Sequence, residues 1–364
     1  MKRVLFVSNV PVPYRMEFFR ELAKKTDLTV CFEAAGSKFQ YNYDLNATGF
    51  RIFFLNKQDS DKKQWKKFFS TLNQRYDFII LSGIANKISI ASILYLKCKR
   101  VPYYLEIDGA IERQDTWLKR RLKTFFISGA TGSFSTGVDG DHYLMKYGAK
   151  EQGIYRYPFT SLKDTDMITQ VVPIDGKKVI KKELGFSEEK PVILAVGRFI
   201  RRKGFDILLH AFKGIDSKAQ LVIVGGSTDE GYENIIREHK IGNVFFREFM
   251  PSEELGKYYR MADVFVLPTR EEVWGLVINE AMAYGCPVIT TNNCVAGKEL
   301  IQNGINGYLV PIEDEEQLRD RINQLLESET KRLEMAQNNL LKSKEYTIEK
   351  MVLAHMLVID NNEN

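Results

Sequence analysis

The sequence predicts an α/β protein built from two doubly wound domains, and three observations lead to this class. Apolar, β-branched runs alternate with segments of helical spacing along both halves of the chain, which is the pattern of parallel strands joined by crossover helices. The chain has 364 residues, enough for two domains with separate cores. Hydrophobic residues account for 44% and charged residues for 27%, the balance of a soluble globular protein.

In the first half, the strand candidates are short apolar runs bounded by polar or turn-forming residues. They cover residues 4–8, 28–32, 50–55, 78–82, 102–107, 132–135 and 154–157. Apolar positions at helical spacing predict helices at residues 15–25, 62–75, 88–97, 117–127 and 140–147. The alternation predicts a first domain over residues 1–170.

The second half repeats this organisation after a polar stretch at residues 161–190, which we interpret as the crossing between the domains. Strands are predicted at residues 192–196, 221–224, 244–247, 264–267, 288–290 and 307–310. The intervening segments, among them 205–212 and 276–284, have helical spacing, and the tail is helical from residue 313. We expect a second domain over residues 171–343 and a separate final segment over 344–364.

Composition and spacing exclude several classes of protein. The four cysteines show no Cys-x2-Cys spacing and the four histidines are isolated, so we expect reduced thiols and no metal site. The chain carries a formal charge of +5, without a leader pattern or an apolar run of the ~20 residues that span a bilayer. A cytoplasmic protein is expected. No Gly-x-Gly-x-x-Gly follows the first strand, which argues against a dehydrogenase.

The stretch from Glu272 to Glu280 carries the most chemical information. Glu272 follows a buried strand, and Glu280 lies about two turns into the next helix. In a parallel sheet such a loop binds ligands beside a helix N-terminus that favours anions. Carboxylates there suit hydroxyl groups, so the pattern predicts a ligand that is both phosphorylated and polyhydroxylated, such as a nucleotide sugar.

A second strand-loop-helix carries two cations, Arg198 and Lys203. A fork of guanidinium donors and a point charge that converge on one loop suit a diphosphate. The alternative is that both are solvated charges, since Arg201 and Arg202 lie between them.

These two segments resemble the Glu-x7-Glu and Gly-Arg-x4-Lys-Gly elements of the retaining GT-B glycosyltransferases of family 4. The resemblance covers residues 191–310 most closely. It implies two Rossmann-like domains that face a cleft, with a C-terminal helix crossing back to the first domain. It also implies transfer of a sugar from a nucleoside diphosphate sugar, above all a UDP-sugar, to an acceptor hydroxyl. The anomeric configuration would be retained, and neither a metal nor another cofactor would be needed.

The resemblance assigns roles to residues of the second domain. Glu280 would accept hydrogen bonds from the ribose, or form a structural salt bridge, and Glu272 would contact the transferred sugar. Arg198 and Lys203 would stabilise the departing diphosphate. The remaining donor-binding candidates are backbone positions near these side chains: Gly197, Trp274, Gly275, Leu276 and Gly225, the last of which otherwise forms a simple turn.

Three residues of the first domain are further candidates. Many family members have a glycine-rich loop after the first strand, whereas this chain has prolines followed by Arg15. Arg15 either reaches a donor phosphate or is an ordinary residue of the first helical turn. Glu106 and Asp108 end a strand, where they either orient the acceptor hydroxyl as catalytic groups or terminate the strand.

Two predicted helices combine aromatic and basic residues, over 62–69 and 117–126. This composition is typical of binding to an anionic membrane surface, and also of ordinary surface helices. Peripheral docking on the inner face of the cell membrane would suit a lipid-linked glycan acceptor in polysaccharide biosynthesis. No nucleic-acid motif accompanies the charges.

Two rival functions stay open at this stage. One is an enzyme of the same fold that makes a small soluble glycoside. The other is a non-catalytic partner that binds nucleotide sugars, although such a protein need not keep all four of the charged residues Arg198, Lys203, Glu272 and Glu280.

Overall fold

The computed structural model describes residues 1–34, 49–56, 61–215, 217–228 and 230–361. The chain divides into two compact units, one of Met1–Ser161 with Thr347–Asn364 and one of Leu162–Tyr346. The units change at 161/162 and 346/347, compared with predicted boundaries at 170/171 and 343/344. Helix periodicity alone did not reveal these positions, because the chain leaves and re-enters the first unit through short irregular segments.

The first unit contains a parallel sheet whose strand order is β3-β2-β1-β4-β5-β6-β7. Its strands are β1 (Arg3–Ser8), β2 (Asp27–Ala34), β3 (Arg51–Asn56), β4 (Phe78–Ser82), β5 (Tyr104–Glu106), β6 (Gly132–Ser135) and β7 (Ile154–Arg156). The central strands β1, β4 and β5 are buried except at Arg3 and Ser82, as expected for strands with helices on both faces of the sheet.

The helices of this unit are α1 (Pro13–Ala23), α2 (Asp61–Leu72), α3 (Lys87–Lys99), α4 (Trp117–Ile127), α5 (Val138–Lys146) and α14 (Ile348–Asn361). One core cluster includes Leu5, Ile79 and Leu105 from the strands, with Phe68 and Leu96 from the helices. Helix α14 packs against α1, and Lys2 Nζ donates to the carbonyl of Ile359 at 2.7 Å. The predicted return of the last helix to the first unit is therefore observed.

The second unit contains a six-stranded parallel sheet in the order β10-β9-β8-β11-β12-β13. Its strands are β8 (Val192–Val196), β9 (Gln220–Val224), β10 (Val244–Arg247), β11 (Val264–Leu267), β12 (Val288–Thr291) and β13 (Gly307–Val310). Its helices are α6 (Ile174–Glu183), α7 (Phe205–Phe212), α8 (Glu230–His239), α9 (Ser252–Met261), α10 (Leu276–Ala283), α11 (Val295–Leu300), α12 (Glu315–Glu327) and α13 (Glu329–Ser343). The strand order reverses between β8 and β11, so their loops meet at the topological switch point of the sheet.

The two sheets confirm the predicted α/β fold class. Across the described residues, each predicted strand coincides with an observed one, and no end is displaced by more than two residues. Two ends are displaced by two residues: β2 ends at Ala34, and β5 begins at Tyr104. The late start of β5 follows from Pro102, because proline lacks the N–H that would extend the ladder.

The polar stretch at residues 161–190 is not only a crossing segment, because it contains helix α6. Lys181 of this helix is buried and pairs with Asp263 at 2.9 Å. Burial opposes ionisation of Asp263, but Lys177 and Lys181 outweigh it and lower the pKa of this carboxyl. The lysines that suggested a solvated linker therefore fasten α6 to the start of β11.

None of the helices in the described parts of the chain combines the length and the apolar character that a bilayer crossing requires.

Candidate active site

The two loops that carry the predicted donor-binding residues lie side by side in the second unit. One follows β8 and the other follows β11, and these strands are paired through Ile193 and Val264. The carboxyl ends of parallel strands meet at one edge of a sheet, where open α/β proteins bind ligands. The fold thus brings the loop of Arg198 and Lys203 to the loop of Glu272.

Lys203 and Glu272 form a direct ion pair between these loops, with Lys203 Nζ donating to Glu272 Oε2. Both residues are largely buried, with exposed fractions of 9% and 8%. Arg202, which was not among the candidates from the sequence, reaches the other carboxylate oxygen at 3.5 Å. A buried pair of this kind contributes little to net stability because desolvation opposes it, so its position at the switch point points to chemistry.

Arg198 lies at the start of the same loop with an exposed side chain. It makes no ion pair with the residues that the structure describes. Gly197, before it, lies against the aliphatic stem of Lys203. A cation that is exposed beside a buried cation-carboxylate pair can turn toward an incoming anion without losing a structural contact.

Two glycines of the site are required by the backbone. Gly275 has a left-handed φ of 106°, and a Cβ there would lie 3.1 Å from Glu272 Cγ. A Cβ on Gly225 would lie 1.7 Å from the carbonyl oxygen of Gly197. Gly225 therefore lets the loop after β9 approach the loop after β8, which is more than the simple turn considered from the sequence.

Helix α10 begins at Leu276, directly after Gly275. Its first hydrogen bond in the helix runs from Ile278 N to the carbonyl of Gly275 at 2.8 Å, so the preceding N–H groups belong to the helix terminus that favours anions. The indole of Trp274 is buried and donates to Asn279 Oδ1 at 2.9 Å. Its side chain thus fixes the start of α10, and only its backbone stays a candidate for ligand contact.

Glu280 lies on α10 and is half-buried. The hydroxyl of Tyr259, from α9, donates to Glu280 Oε2 at 2.9 Å. The ring of Tyr259 is buried and stacks on Tyr284, with centroids 5.4 Å apart. Burial raises the pKa of Tyr259 well above its ordinary value, and the Glu280 charge adds to this effect. The contact between Tyr259 and Glu280 is thus a hydrogen bond from a neutral phenol.

In the first unit, the three candidate residues belong to one internal ion network. Arg15 Nη2 lies 2.6 Å from Glu106 Oε2, and the same guanidinium contacts Asp108. Arg15 is 2% exposed and Glu106 is fully buried. The side chain of Asp108 is 33% exposed, so solvent reaches this carboxylate but not that of Glu106.

His355 of helix α14 completes this network. Its Nε2 lies 3.1 Å from Glu106 Oε1, and its Nδ1 lies 2.8 Å from the carbonyl of Met351. Both ring nitrogens therefore face oxygen acceptors, an arrangement in which both donate only when the ring is protonated. Burial opposes ionisation of Glu106, but Arg15 and His355 outweigh it and lower its pKa to about 2.

Asp108 is held by two donors at one oxygen. The hydroxyl of Tyr157 donates to Asp108 Oδ1 at 3.1 Å, and Arg15 contacts the same oxygen. Burial raises the pKa of Asp108, and the neighbouring Glu106 charge also raises it, against the opposing effect of Arg15. Arg15 is thus neither the ordinary helix residue nor the exposed phosphate ligand considered from the sequence, because it joins β5, α1 and α14.

The two basic, aromatic helices of the first unit differ in how they use their rings. On α2, Trp65 and Phe69 pack against the core cluster. On α4, four apolar side chains are exposed: Trp117 by 70%, Leu118 by 61%, Leu122 by 48% and Phe125 by 46%.

Three cations of α4 are exposed beside these apolar groups, namely Lys119, Arg120 and Arg121. Lys123 is different, because its Nζ pairs with Asp115 at 2.6 Å and lies over the ring of Tyr147. Lys123 thus fastens α4 to its own unit. The exposed surface of α4 is amphipathic, whereas the exposed residues of α2 among those with described side chains are four lysines and Ser70.

Comparison with known proteins shows what the second unit resembles. The family model for glycosyl transferases group 1 matches residues 176–341. This segment is similar to the glycosyl transferases group 1. It contains β8 to β13 together with both loops of the candidate site.

The chain is also similar to two curated relatives. The chain is 37% identical over 154 residues to a 41.2 kDa protein in the cps region of Klebsiella pneumoniae, an alignment of 41% of this chain and 42% of that one. It is 30% identical over 213 residues to D-inositol 3-phosphate glycosyltransferase of Xylanimonas cellulosilytica, over 56% and 50%. The chain thus spans about half the length of the curated relatives that it matches.

A solved structure extends the fold comparison to the whole chain. Anabaena HepE in complex with UDP matches 99% of this chain and 100% of its own, with a TM-score of 0.78 and 16% identity. The predicted GT-B fold is therefore confirmed.

Several residues that bond to the candidate residues of each unit were not found from the sequence. Tyr259 and His355 lie in apolar helical patterns, where either is most simply a core residue. Arg270 follows Thr269 in a loop and has no pattern that marks it. Within the described residues, no cluster of three or more His, Cys, Asp or Glu side chains could hold a metal ion, and metal independence stays a prediction.

Proposed function

We propose that this protein is a retaining glycosyltransferase that moves a sugar from a nucleoside diphosphate sugar, most simply a UDP-sugar, to a hydroxyl of a glycan acceptor. The observation that carries the proposal is the convergence of Arg198, Lys203 and Glu272 at the switch point of the second sheet, beside the N-terminus of α10. The match to group 1 glycosyltransferases covers this segment, and the related HepE fold was solved with UDP.

In this reaction the bond between the anomeric carbon and the diphosphate oxygen breaks. The acceptor oxygen bonds to the same face of that carbon, and its proton passes to the departing phosphate. Arg198 and Lys203 would stabilise the negative charge that develops on the leaving group. A diphosphate that reaches Lys203 competes with Glu272 for the same ammonium group, which leaves Glu272 able to accept a sugar hydroxyl.

The nucleoside would bind farther along helix α10, at Glu280. Glu280 is half-buried and oriented by Tyr259, so its carboxylate suits the two hydroxyls of a ribose. Asp108 of the first unit, with its partly exposed carboxylate, would line the acceptor side. Glu106 and Arg15 would act there indirectly, by holding Asp108.

Ligand binding tests the donor assignment. UDP at a hundredfold excess over its Kd should stabilise the wild-type protein by about 2.7 kcal/mol in a thermal-shift assay. Glu280→Ala should weaken binding by about 1.5–3 kcal/mol in calorimetry. Glu334→Ala, an exposed site on α13, is the matched control and should bind as the wild type does. Equal affinity in all three proteins would contradict the role of Glu280.

Turnover tests the cations and the absence of a metal. Arg198→Ala should lower transfer at saturating donor with little change in thermal stability, because the side chain is exposed. Arg201→Ala removes an exposed cation from the same loop and should retain activity. Transfer should also persist in EDTA. Loss of activity in EDTA that magnesium restores would exclude the metal-free reaction.

We also propose that α4 docks the enzyme on an anionic membrane surface, as a lipid-linked acceptor would require. Its exposed rings can enter the interface while Lys119, Arg120 and Arg121 face the lipid charges. Each cation near such a surface contributes about 1 kcal/mol, so reversing all three should abolish binding to phosphatidylglycerol vesicles.

Helix α2 supplies the matched control for this test. Reversal of Lys62, Lys63 and Lys66, which are also exposed, changes the net charge equally but leaves α4 intact. The α2 variant should still sediment with the vesicles at low salt. If the two variants behave alike, net charge rather than α4 determines binding. If the wild type stays in the supernatant, an enzyme that glycosylates a small soluble acceptor becomes the better assignment.

A further inference from the structure

Arg270 is the most extensively bonded side chain of the loop that carries Glu272. Its Nη1 and Nη2 bind the two carboxylate oxygens of Asp206 at 2.9 and 2.7 Å. Nη1 also donates to the carbonyl of Arg201 at 2.6 Å. Nε and Nη2 bind the two oxygens of Glu313. All three nitrogens of the guanidinium are thus engaged, in a planar geometry that lysine cannot reproduce.

The partners of Arg270 belong to different segments around the candidate site. Arg201 and Asp206 flank the turn that presents Lys203, and Asp206 lies in the first turn of α7. Glu313 follows β13. Burial opposes ionisation of Asp206, but Arg270 outweighs it and lowers its pKa.

The backbone of Arg270 makes two further links. Its N–H donates to the carbonyl of Arg202 at 2.8 Å, and its carbonyl accepts from Asn293 Nδ2 at 2.5 Å. Thr269 Oγ1 donates to the same Arg202 carbonyl at 2.8 Å. Arg270 therefore fixes the distance between the loop of Lys203 and the loop of Glu272.

The backbone of Glu313 provides an independent observation. Its φ is 61°, a left-handed conformation that a residue with a side chain rarely adopts outside constrained sites. Glu313 pairs with Arg270 from this conformation, although its side chain is 53% exposed.

We propose that Arg270 is a positioning residue for sugar transfer: it holds the cationic loop and the Glu272 loop in the register that places Lys203 against the diphosphate and Glu272 against the sugar. This inference rests on the proposed function and adds to it a residue that touches neither substrate. A displacement of reacting groups by about 1 Å can lower turnover by about 100-fold. The nucleoside side of the site, at Glu280, lies on α10 and should be affected less.

The experiment compares Arg270→Lys with Arg319→Lys. Arg319 binds the carbonyls of Ala211 and His210 at 3.0 and 3.3 Å, so it holds the opposite end of α7. For each variant, kcat and KM for a UDP-sugar are measured, with calorimetric affinities for UDP and UMP and with the melting temperature. Glu313→Gln is a milder second variant, which keeps the test decisive if Arg270→Lys does not fold.

We expect kcat to fall by about 100-fold in Arg270→Lys and by a smaller factor in Glu313→Gln. UDP affinity should fall in both variants and KM for the UDP-sugar should rise with it, because both ligands carry the diphosphate. UMP affinity should change less than twofold. Arg319→Lys should lower the melting temperature without this selective loss. A similar kcat in both arginine variants would overturn the positioning role. Failure of the wild type to bind UDP or to transfer sugar would instead contradict the proposed function itself.

Discussion

Replacing Arg15 with methionine tests the ion network of the first unit. The substitution removes the cation that pairs with the fully buried Glu106 carboxylate at 2.6 Å and leaves the imidazole of His355 as its neighbour. Removal of one partner from a buried ion pair costs about 3–5 kcal/mol. The pKa of Glu106 gives a similar figure, because it falls from 4.5 to about 2 and each pKa unit corresponds to about 1.36 kcal/mol.

The pH dependence separates this electrostatic cost from a packing defect. In the wild type the folded-state pKa of Glu106 is depressed, so its contribution is present above the unfolded value and is lost as pH falls from about 5 toward 2. Without Arg15, burial should raise that pKa. A carboxyl whose pKa is raised in the folded state destabilises the protein at neutral pH. This destabilisation disappears as the pH falls and the carboxyl is protonated. The difference between Arg15→Met and wild type should therefore shrink between pH 7 and pH 4.

Urea unfolding followed by circular dichroism, with hydrogen exchange of the α14 peptides, measures the effect. A loss of about 3–5 kcal/mol corresponds to a lower melting temperature by roughly 6–20 °C for a unit of this size. Arg20→Met is the control, because Arg20 pairs with Glu17 on the same helix at a half-exposed site, where ion pairs contribute about 0–1 kcal/mol. The reasoning fails if Arg15→Met is no less stable than Arg20→Met, or if its deficit is independent of pH. In a Glu106→Gln background, the pH dependence should be smaller, because only the contact of Arg15 with Asp108 remains.

Two further predictions concern the second unit. Tyr259→Phe removes the hydrogen bond to Glu280 and should weaken UDP binding by about 1 kcal/mol in calorimetry. Tyr284→Phe is the control, because it keeps the stacked ring but removes a hydroxyl elsewhere. Equal losses of affinity in both variants would contradict an orienting role for Tyr259. Gly225→Ala places a Cβ 1.7 Å from the Gly197 carbonyl, so the loops must separate, and thermal unfolding should show a loss of about 1–3 kcal/mol; an unchanged melting temperature would mean that the close approach is not required.

The strands and the loops after them could be predicted from the sequence, because each is a local signal. Runs such as residues 192–196 and 264–267 are buried on both faces, so they are continuously apolar. Parallel strands also place their following loops at one edge, which is why Glu272 and Lys203 could be expected together before their contact was known.

Contacts that depend on distant partners could not be predicted in this way. Arg15 lies one turn into α1 and Glu106 ends β5. No local sequence pattern indicates that they pair, or that a histidine from the last helix contacts the same carboxylate. Lys123 has the same composition around it as Arg121, yet it pairs with Asp115 while Arg121 stays exposed. Which face of a helix is covered is decided by its neighbours, which one segment does not contain.

The network around Glu106 also sets an order of events during synthesis. His355 follows Glu106 by 249 positions, so at translation rates of about 5–20 residues per second it emerges roughly 10–50 s later. Until then the buried carboxylate lacks one of its partners and α1 lacks the helix that covers it. The second unit is synthesised between the two segments of the first unit, so all strands of its sheet are available before α14 emerges. The part of the protein that is translated first is therefore completed last, and nascent chains interrupted before α14 should expose the apolar face of α1 to chaperones and proteases.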